Sequence, residues 1–171
     1  AGDEALTWHI RQVEGAGQPE LSFEFGRAGD IPIVGDWDGD GVATPGVVRG
    51  NRWMLRNSNS SGPPDIEFEF GRPGDVPVVG RWTDDGRARA GVVRGTTWIL
   101  RTTDGGATVD FEFGPGGIPV VGDWAGNGLD RPGWFRDGTW YLRNSLSSGS
   151  ADTTFQFGAA GDIPVVWGKL G

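Results

Sequence analysis

The sequence predicts an all-β fold, a β-propeller with four blades of about 45 residues, and three observations carry that expectation. The string Phe-Glu-Phe-Gly stands at 23–26, 68–71 and 111–114 and returns as Phe-Gln-Phe-Gly at 155–158, at steps of 45, 43 and 44 residues. A fixed period of this length marks a repeat architecture. Within each period four short β-signals follow in the same order. No window shows a sustained 3.6-residue apolar stripe, so almost no helix is expected.

The first complete unit shows the elements in turn. Ile31–Trp37 is a β-branched run, Pro45–Arg49 a second, Arg52–Arg56 a third, and Asp65–Phe70 a fourth that alternates strictly. Asp-Gly-Asp-Gly, Gly-Asn and Asn-Ser-Asn-Ser-Ser-Gly-Pro-Pro separate them, all of it turn chemistry. In the third run Trp53 and Leu55 share one face and Met54 lies on the other. Trp8/Ile10, Trp98/Leu100 and Trp140/Leu142 repeat that pattern around His9, Ile99 and Tyr141. A strand apolar on both faces needs cover on both sides, which stacked blades supply.

These signals place three blades at about 29–70, 74–113 and 116–157 in a single repeat domain, 1–171. A closing blade would combine 161–171 with 6–26, shared between the two ends, which removes open sheet edges. First, third and fourth strand signals each occur four times, the second only three times. The closing blade therefore lacks its second strand. Either it is incomplete, or Trp167–Leu170 substitutes, or a partner chain completes it.

Composition narrows the function. The 32 glycines and 11 prolines read as turn residues, and nine tryptophans and nine phenylalanines supply apolar mass. A formal net charge of −8 argues against nucleic acid, which needs a basic face. No apolar run approaches membrane-spanning length, so no membrane insertion is expected. There is no cysteine, which excludes disulfides, thiol catalysis and thiolate metal sites. The start Ala1-Gly2-Asp3-Glu4 suits a processed mature end or a fragment.

The strongest chemical motif is Asp36-Trp37-Asp38-Gly39-Asp40-Gly41-Val42-Ala43-Thr44. Carboxylates at loop positions one, three and five converge when the chain turns, and Gly41 permits the bend. The Val42 carbonyl and Thr44 at position nine extend an oxygen-rich set that suits calcium. Val47 stands where an EF-hand has glutamate, and a strand follows rather than a helix, so this is not an EF-hand. The second loop, Arg81–Arg89, has arginine at positions one and nine and is expected to be metal-free, closed by an Arg–Asp pair. The third, Asp123–Arg131, keeps Asp123 and Asn127 but has Ala125 at position three, a weaker site.

With Phe25-Gly26, then Gly35-Asp36-Trp37-Asp38-Gly39-Asp40-Gly41, then Gly46-Val47-Val48-Arg49, the chain resembles the bacterial FG-GAP/VCBS-type propeller repeats over nearly all of residues 6–167. The resemblance implies a secreted or cell-surface propeller with calcium in the hairpin between a blade's first two strands. It also implies a role in adhesion, in carbohydrate recognition or as a module beside a secreted enzyme.

Recurrence separates scaffold from site. Trp8, Trp53, Trp98 and Trp140 hold one blade position and Trp37, Trp82 and Trp124 another, so both sets are expected in the core. Trp134 stands where Val47 and Val92 stand. With Asp137 and Tyr141 it marks the candidate surface for a glycan or protein ligand. Glu24, Glu69, Glu112 and Gln156 face Arg11, Arg56, Arg101 and Arg143 on adjacent strands, which reads as cross-strand ion pairing. Paired carboxylates of a glycosidase are the sharper alternative. His9, the only histidine, sits at a patterned strand position, so common nucleophile–base sets cannot be assembled. The expectation is a non-catalytic binding module. A module that associates with itself through the closing blade is the rival, and an enzyme accessory domain comes third.

Overall fold

The computed structural model describes residues 4–11, 17 and 21–166. Among them are 14 strands and no helix. The strands are β1 (Ala5–Ile10), β2 (Leu21–Arg27), β3 (Ile31–Gly35), β4 (Thr44–Arg49), β5 (Arg52–Leu55), β6 (Ile66–Glu69) and β7 (Val76–Gly80). They continue with β8 (Arg89–Arg94), β9 (Thr97–Arg101), β10 (Thr108–Glu112), β11 (Ile118–Gly122), β12 (Arg131–Arg136), β13 (Thr139–Leu142) and β14 (Thr153–Gln156). They form three four-stranded antiparallel sheets, β3–β6, β7–β10 and β11–β14, each in chain order, and one two-stranded sheet, β1–β2. The contacts group into two compact units, Ala1–Pro73 and Gly74–Gly171.

The register is the same in all three complete sheets. Ile33 faces Gly46, Val78 faces Gly91 and Val120 faces Gly133. These glycines are forced by space. A Cβ on Gly91 would lie 2.5 Å from Leu100 Cδ2 and 2.8 Å from Val78 Cγ2. The third-strand tryptophan faces the first phenylalanine of the repeat motif: Trp53 faces Phe68, Trp98 faces Phe111 and Trp140 faces Phe155. Trp8 and Phe23 do the same in β1–β2. Each pair stacks nearly parallel, with ring centroids 5.9–6.4 Å apart. Cross-strand aromatic pairs of this kind fix register as well as adding stability.

Within each unit a sheet locks onto its predecessor through the serine-rich loop. In the first, the Glu24 N–H of β2 donates to Ser61 Oγ at 3.1 Å. In the second, the Glu112 N–H of β10 donates to Ser148 Oγ at 3.0 Å, and the Gly149 N–H to the Glu112 carbonyl. Arg56 organises one of these loops from inside. Its guanidinium donates to the carbonyls of Ser60, Ser61 and Pro63 and to the Ser58 and Ser60 hydroxyls. Arg143 wraps its loop in the same way, through Ser147, Ser148 and Ser150.

This corrects the expected pairing with the motif glutamates. Arg56 and Arg143 lie one residue past their strands, so they point into the loop, and their carboxylate partners are Asp65 and Asp152. Glu24, Glu69, Glu112 and Gln156 are exposed. Residues 162–166 belong to no strand, β1–β2 stands as a pair, and Trp167–Gly171 lie outside the described residues.

Candidate functional site

The loop between β3 and β4 is built by its own carboxylates. Asp36 Oδ1 accepts the N–H groups of Gly39 and Asp40 at 2.8 and 3.1 Å, and Oδ2 accepts that of Gly41 at 2.9 Å. Asp38 Oδ1 accepts the Asp40 N–H, and Asp40 Oδ1 accepts the Val42 N–H. Gly39 and Gly41 take positive φ, 79° and 88°, which the tight turn requires. The outcome is a cluster in which one oxygen each of Asp36, Asp38 and Asp40 lies within 4.8 Å of the others. Asp38 and Asp40 are exposed, so water or an ion has access.

The residues fit a hard cation in part. Three carboxylates with spare lone pairs converge, and Val42 follows directly. Thr44 does not join them. It opens β4, is buried, and its hydroxyl donates to the Arg56 carbonyl at 2.6 Å. Position nine is thus a strand residue rather than a ligand, because the sheet resumes sooner than a nine-residue cation loop needs.

The other two loops share this scaffold with different chemistry. In the third, Asp123 accepts the Asn127 and Gly128 N–H groups, and Asn127 Oδ1 accepts the Leu129 N–H. The Gly128 N–H, foremost among several backbone donors, holds the Asp123 carboxyl below the usual range. In the second loop the protein supplies its own cation: the Arg89 guanidinium bonds both Asp85 and Asp104. Burial acts to raise the Asp85 carboxyl, but the hydrogen bond from Arg89 and that from the Arg87 N–H outweigh it. Asp85 corresponds to Asp40, so the first loop keeps charge that the second neutralises internally.

The ligand surface expected at Trp134, Asp137 and Tyr141 is not present as such. Trp134 is 1% exposed and meets Trp98 edge-on at 5.4 Å. Its Nε1–H donates to the Phe113 carbonyl at 2.6 Å. That carbonyl is the place taken in other repeats by the third-strand tryptophan. Trp8 donates to Phe25, Trp53 to Phe70 and Trp140 to Phe157. Trp98 is the exception, with its Nε1 buried and unpartnered. Trp134 has taken its acceptor. Asp137 occupies the β12–β13 turn at φ 50°, followed by Gly138 at φ 84°, an Asp-Gly hairpin turn. Tyr141 faces Trp134 across the sheet and packs on the same core. The departures from the repeat are a core rearrangement and a turn.

Ion pairs between a buried carboxylate and a part-exposed guanidinium recur too. Arg49 grips Asp30 with two hydrogen bonds of 2.7 Å, and Arg94 grips Asp75 with two of 2.8 and 2.7 Å. Burial raises the Asp30 carboxyl, but the Arg49 and Arg27 hydrogen bonds prevail and hold it below the usual range. Asp130 differs: burial pushes its carboxyl up, against the Arg81 N–H at 2.8 Å. His9 meets the Ser22 hydroxyl at 3.0 Å on an exposed strand pair.

Comparison with protein-family models, curated proteins and solved structures found no significant match.

Proposed function

We propose that this chain is a non-catalytic binding module whose four sheets are blades of a β-propeller of the FG-GAP/VCBS type. It acts at the cell surface or in secretion and recognises protein in preference to glycan. Support for the propeller is the identical strand order and register of the three complete sheets, and the side-by-side placement of the first strands β7 and β11 within one unit. The observation that carries protein recognition is where the aromatic and apolar residues lie. Trp37, Trp53, Trp82, Trp98, Trp134 and Trp140 are buried and Trp8 and Trp124 half-buried, whereas Phe157, Ile163 and Val165 stand exposed in the stretch that follows β14. A glycan array probed in calcium buffer is expected to stay blank, and a display library of extended peptides to yield binders. A glycan signal that persists in Phe157→Ser overturns this reading. Association of the chain with itself through the same residues is the second reading, and light scattering against concentration checks it.

In this proposal calcium is held by Asp36, Asp38 and Asp40 with the Val42 carbonyl, and its service is to neutralise three converging charges. A native-state ligand stabilises by about 2.7 kcal/mol at a hundredfold excess over Kd. Calcium should therefore raise Tm in the wild type and not in Asp38→Ala. A wild-type Tm indifferent to both calcium and chelator removes the ion from the proposal.

A further inference from the structure

We propose that the segment Asp162–Val166 is a preformed docking edge for one extended peptide strand of defined pattern. The pattern is that of the chain's own second strands: a small residue, then glycine, two apolar residues and arginine. The inference rests on the protein-recognition reading and names the chemistry of the partner.

Residues 161–166 repeat the first-strand motif: Gly-Asp-Ile-Pro-Val-Val here, Gly-Asp-Ile-Pro-Ile-Val at 29–34 and Gly-Asp-Val-Pro-Val-Val at 74–79. In the β3–β6 sheet the strand that follows the motif covers three groups at once, and the other complete sheets repeat part of this; here the same three groups lack that cover. The residue at the Val165 position packs opposite the second-strand glycine. Val78 and Val120 are 8% and 6% exposed there, whereas Val165 is 74% exposed. The second phenylalanine of the repeat motif is capped by the fourth residue of the next second strand. Phe25 clusters with Val47 and Phe113 with Trp134, at 6% and 2% exposure. Phe157 is 73% exposed. The third group is the aspartate. Asp30 and Asp75 are each held by a second-strand arginine, whereas Asp162 accepts the Ala159 N–H, as Asp30 accepts that of Arg27, and forms no ion pair among the described residues. Ile163, 85% exposed, stands where Ile31 faces Val48.

One missing strand accounts for all four exposures, and their order fixes its sequence and direction. Running antiparallel, its glycine falls opposite Val165, since a Cβ would strike the facing side chain as it would at Gly46, Gly91 and Gly133. The next residue covers Phe157, the one after it faces Ile163, and an arginine closes on Asp162 with a bidentate ion pair. Val166 already anchors the segment on Val120, Phe135, Trp140 and Leu142, so the edge is held in place before the partner arrives. Strand addition of this kind takes affinity from backbone hydrogen bonds and specificity from alternate side chains.

The test uses a fluorescein-labelled peptide of the sequence at 43–50, Ala-Thr-Pro-Gly-Val-Val-Arg-Gly, titrated against the whole chain by fluorescence anisotropy. Saturable binding is expected. Asp162→Arg should weaken it about tenfold or more, as loss of a bidentate Arg–carboxylate pair does. A peptide with aspartate in place of its arginine should regain affinity for that variant. Val165→Lys and a peptide with valine for glycine should each abolish binding. Val165 is exposed, so Val165→Lys should melt as the wild type does, whereas Asp162→Arg loses the acceptor of the Ala159 N–H and should melt slightly lower. If either variant unfolds, competition by the unlabelled altered peptides on the wild type decides the matter. No binding at millimolar peptide, or binding indifferent to both charge reversals, overturns the inference. If the peptide fails but the chain still binds other proteins or itself, strand docking falls and protein recognition stands. If the peptide fails and a glycan binds, both fall.

Discussion

Trp134→Ala separates a core residue from a binding platform. The indole is 1% exposed, packs edge-on against Trp98, and donates to Phe113 from 2.6 Å. Truncating a buried aromatic to alanine costs about 3–5 kcal/mol through lost transfer energy and the cavity left behind. In a chain of this size each kcal/mol moves Tm by roughly 2–4 °C, so a fall of roughly 6–20 °C is expected in a thermal melt. A surface platform would change stability by no more than about 0.5 kcal/mol. Trp134→Val refines the test. It restores the residue found at Val47 and Val92 and frees the Phe113 carbonyl, which Trp98 Nε1 should then take, as Trp8, Trp53 and Trp140 take theirs. The Trp98 indole N–H should become strongly protected from hydrogen exchange, and Val should cost less than Ala. A Tm within about 2 °C of wild type for Trp134→Ala would refute the packing argument.

Other expectations follow from the same geometry. Asp30→Asn breaks the bidentate pair that the buried Asp30 makes with the part-exposed Arg49 and should cost about 1–3 kcal/mol at neutral pH by urea melts. Because the Asp30 carboxyl is held below its unfolded value, near 3.9, its contribution is present above that value and is lost as pH falls through the lower folded one. The gap between wild type and variant should therefore close in acid. Asp130 has the opposite sign: burial raises it, so its contribution is full below the unfolded value and is lost as pH rises through the folded one. Asp130→Asn keeps an acceptor for the Arg81 N–H and should match or exceed the wild-type Tm at neutral pH. Gly91→Ala must fit a Cβ 2.5 Å from Leu100 Cδ2, an overpacking worth about 1–3 kcal/mol, whereas Gly105→Ala meets only Thr103 Oγ1 at 3.7 Å and should be silent in the same melts.

The sheets were legible because the repeat states them several times. The period located the strands among the described residues but also signalled one at 163–166 that is not formed, and the alternation around Trp53, Trp98 and Trp140 gave both faces of the third strands. The role of the second-strand glycines was not legible. Gly46, Gly91 and Gly133 look like turn residues in a glycine-rich chain, and only the register shows that each makes room for the side chain opposite. The arginines after the third strands were misread for a related reason. Counting from the strand puts Arg56 beside the motif glutamates, but the strand ends at Leu55 and the guanidinium turns to the serine-loop carbonyls. The signal was available in the loops themselves: Ser-rich runs of similar length follow Arg56 and Arg143, and carbonyl-rich loops of that kind suit a cation at their centre.

Departure from a repeat is therefore ambiguous until the neighbours are known. Trp134 departs from the pattern and is absorbed by its neighbours, with the cost passed to the unpartnered Trp98 Nε1. Thr44 and Arg89 depart from each other at one position, and each is absorbed differently, one by a backbone carbonyl and one by two carboxylates. Phe157, Asp162, Ile163 and Val165 do the reverse. They keep the pattern residue for residue, yet their surroundings do not follow. A residue that varies inside a satisfied environment signals repacking. A residue that repeats faithfully in an unsatisfied environment signals a missing partner, because its chemistry already has a known complement elsewhere in the same chain. By that criterion the proposed docking site belongs on the segment that most resembles its counterparts, at Asp162–Val166, and not on the blade that has diverged most.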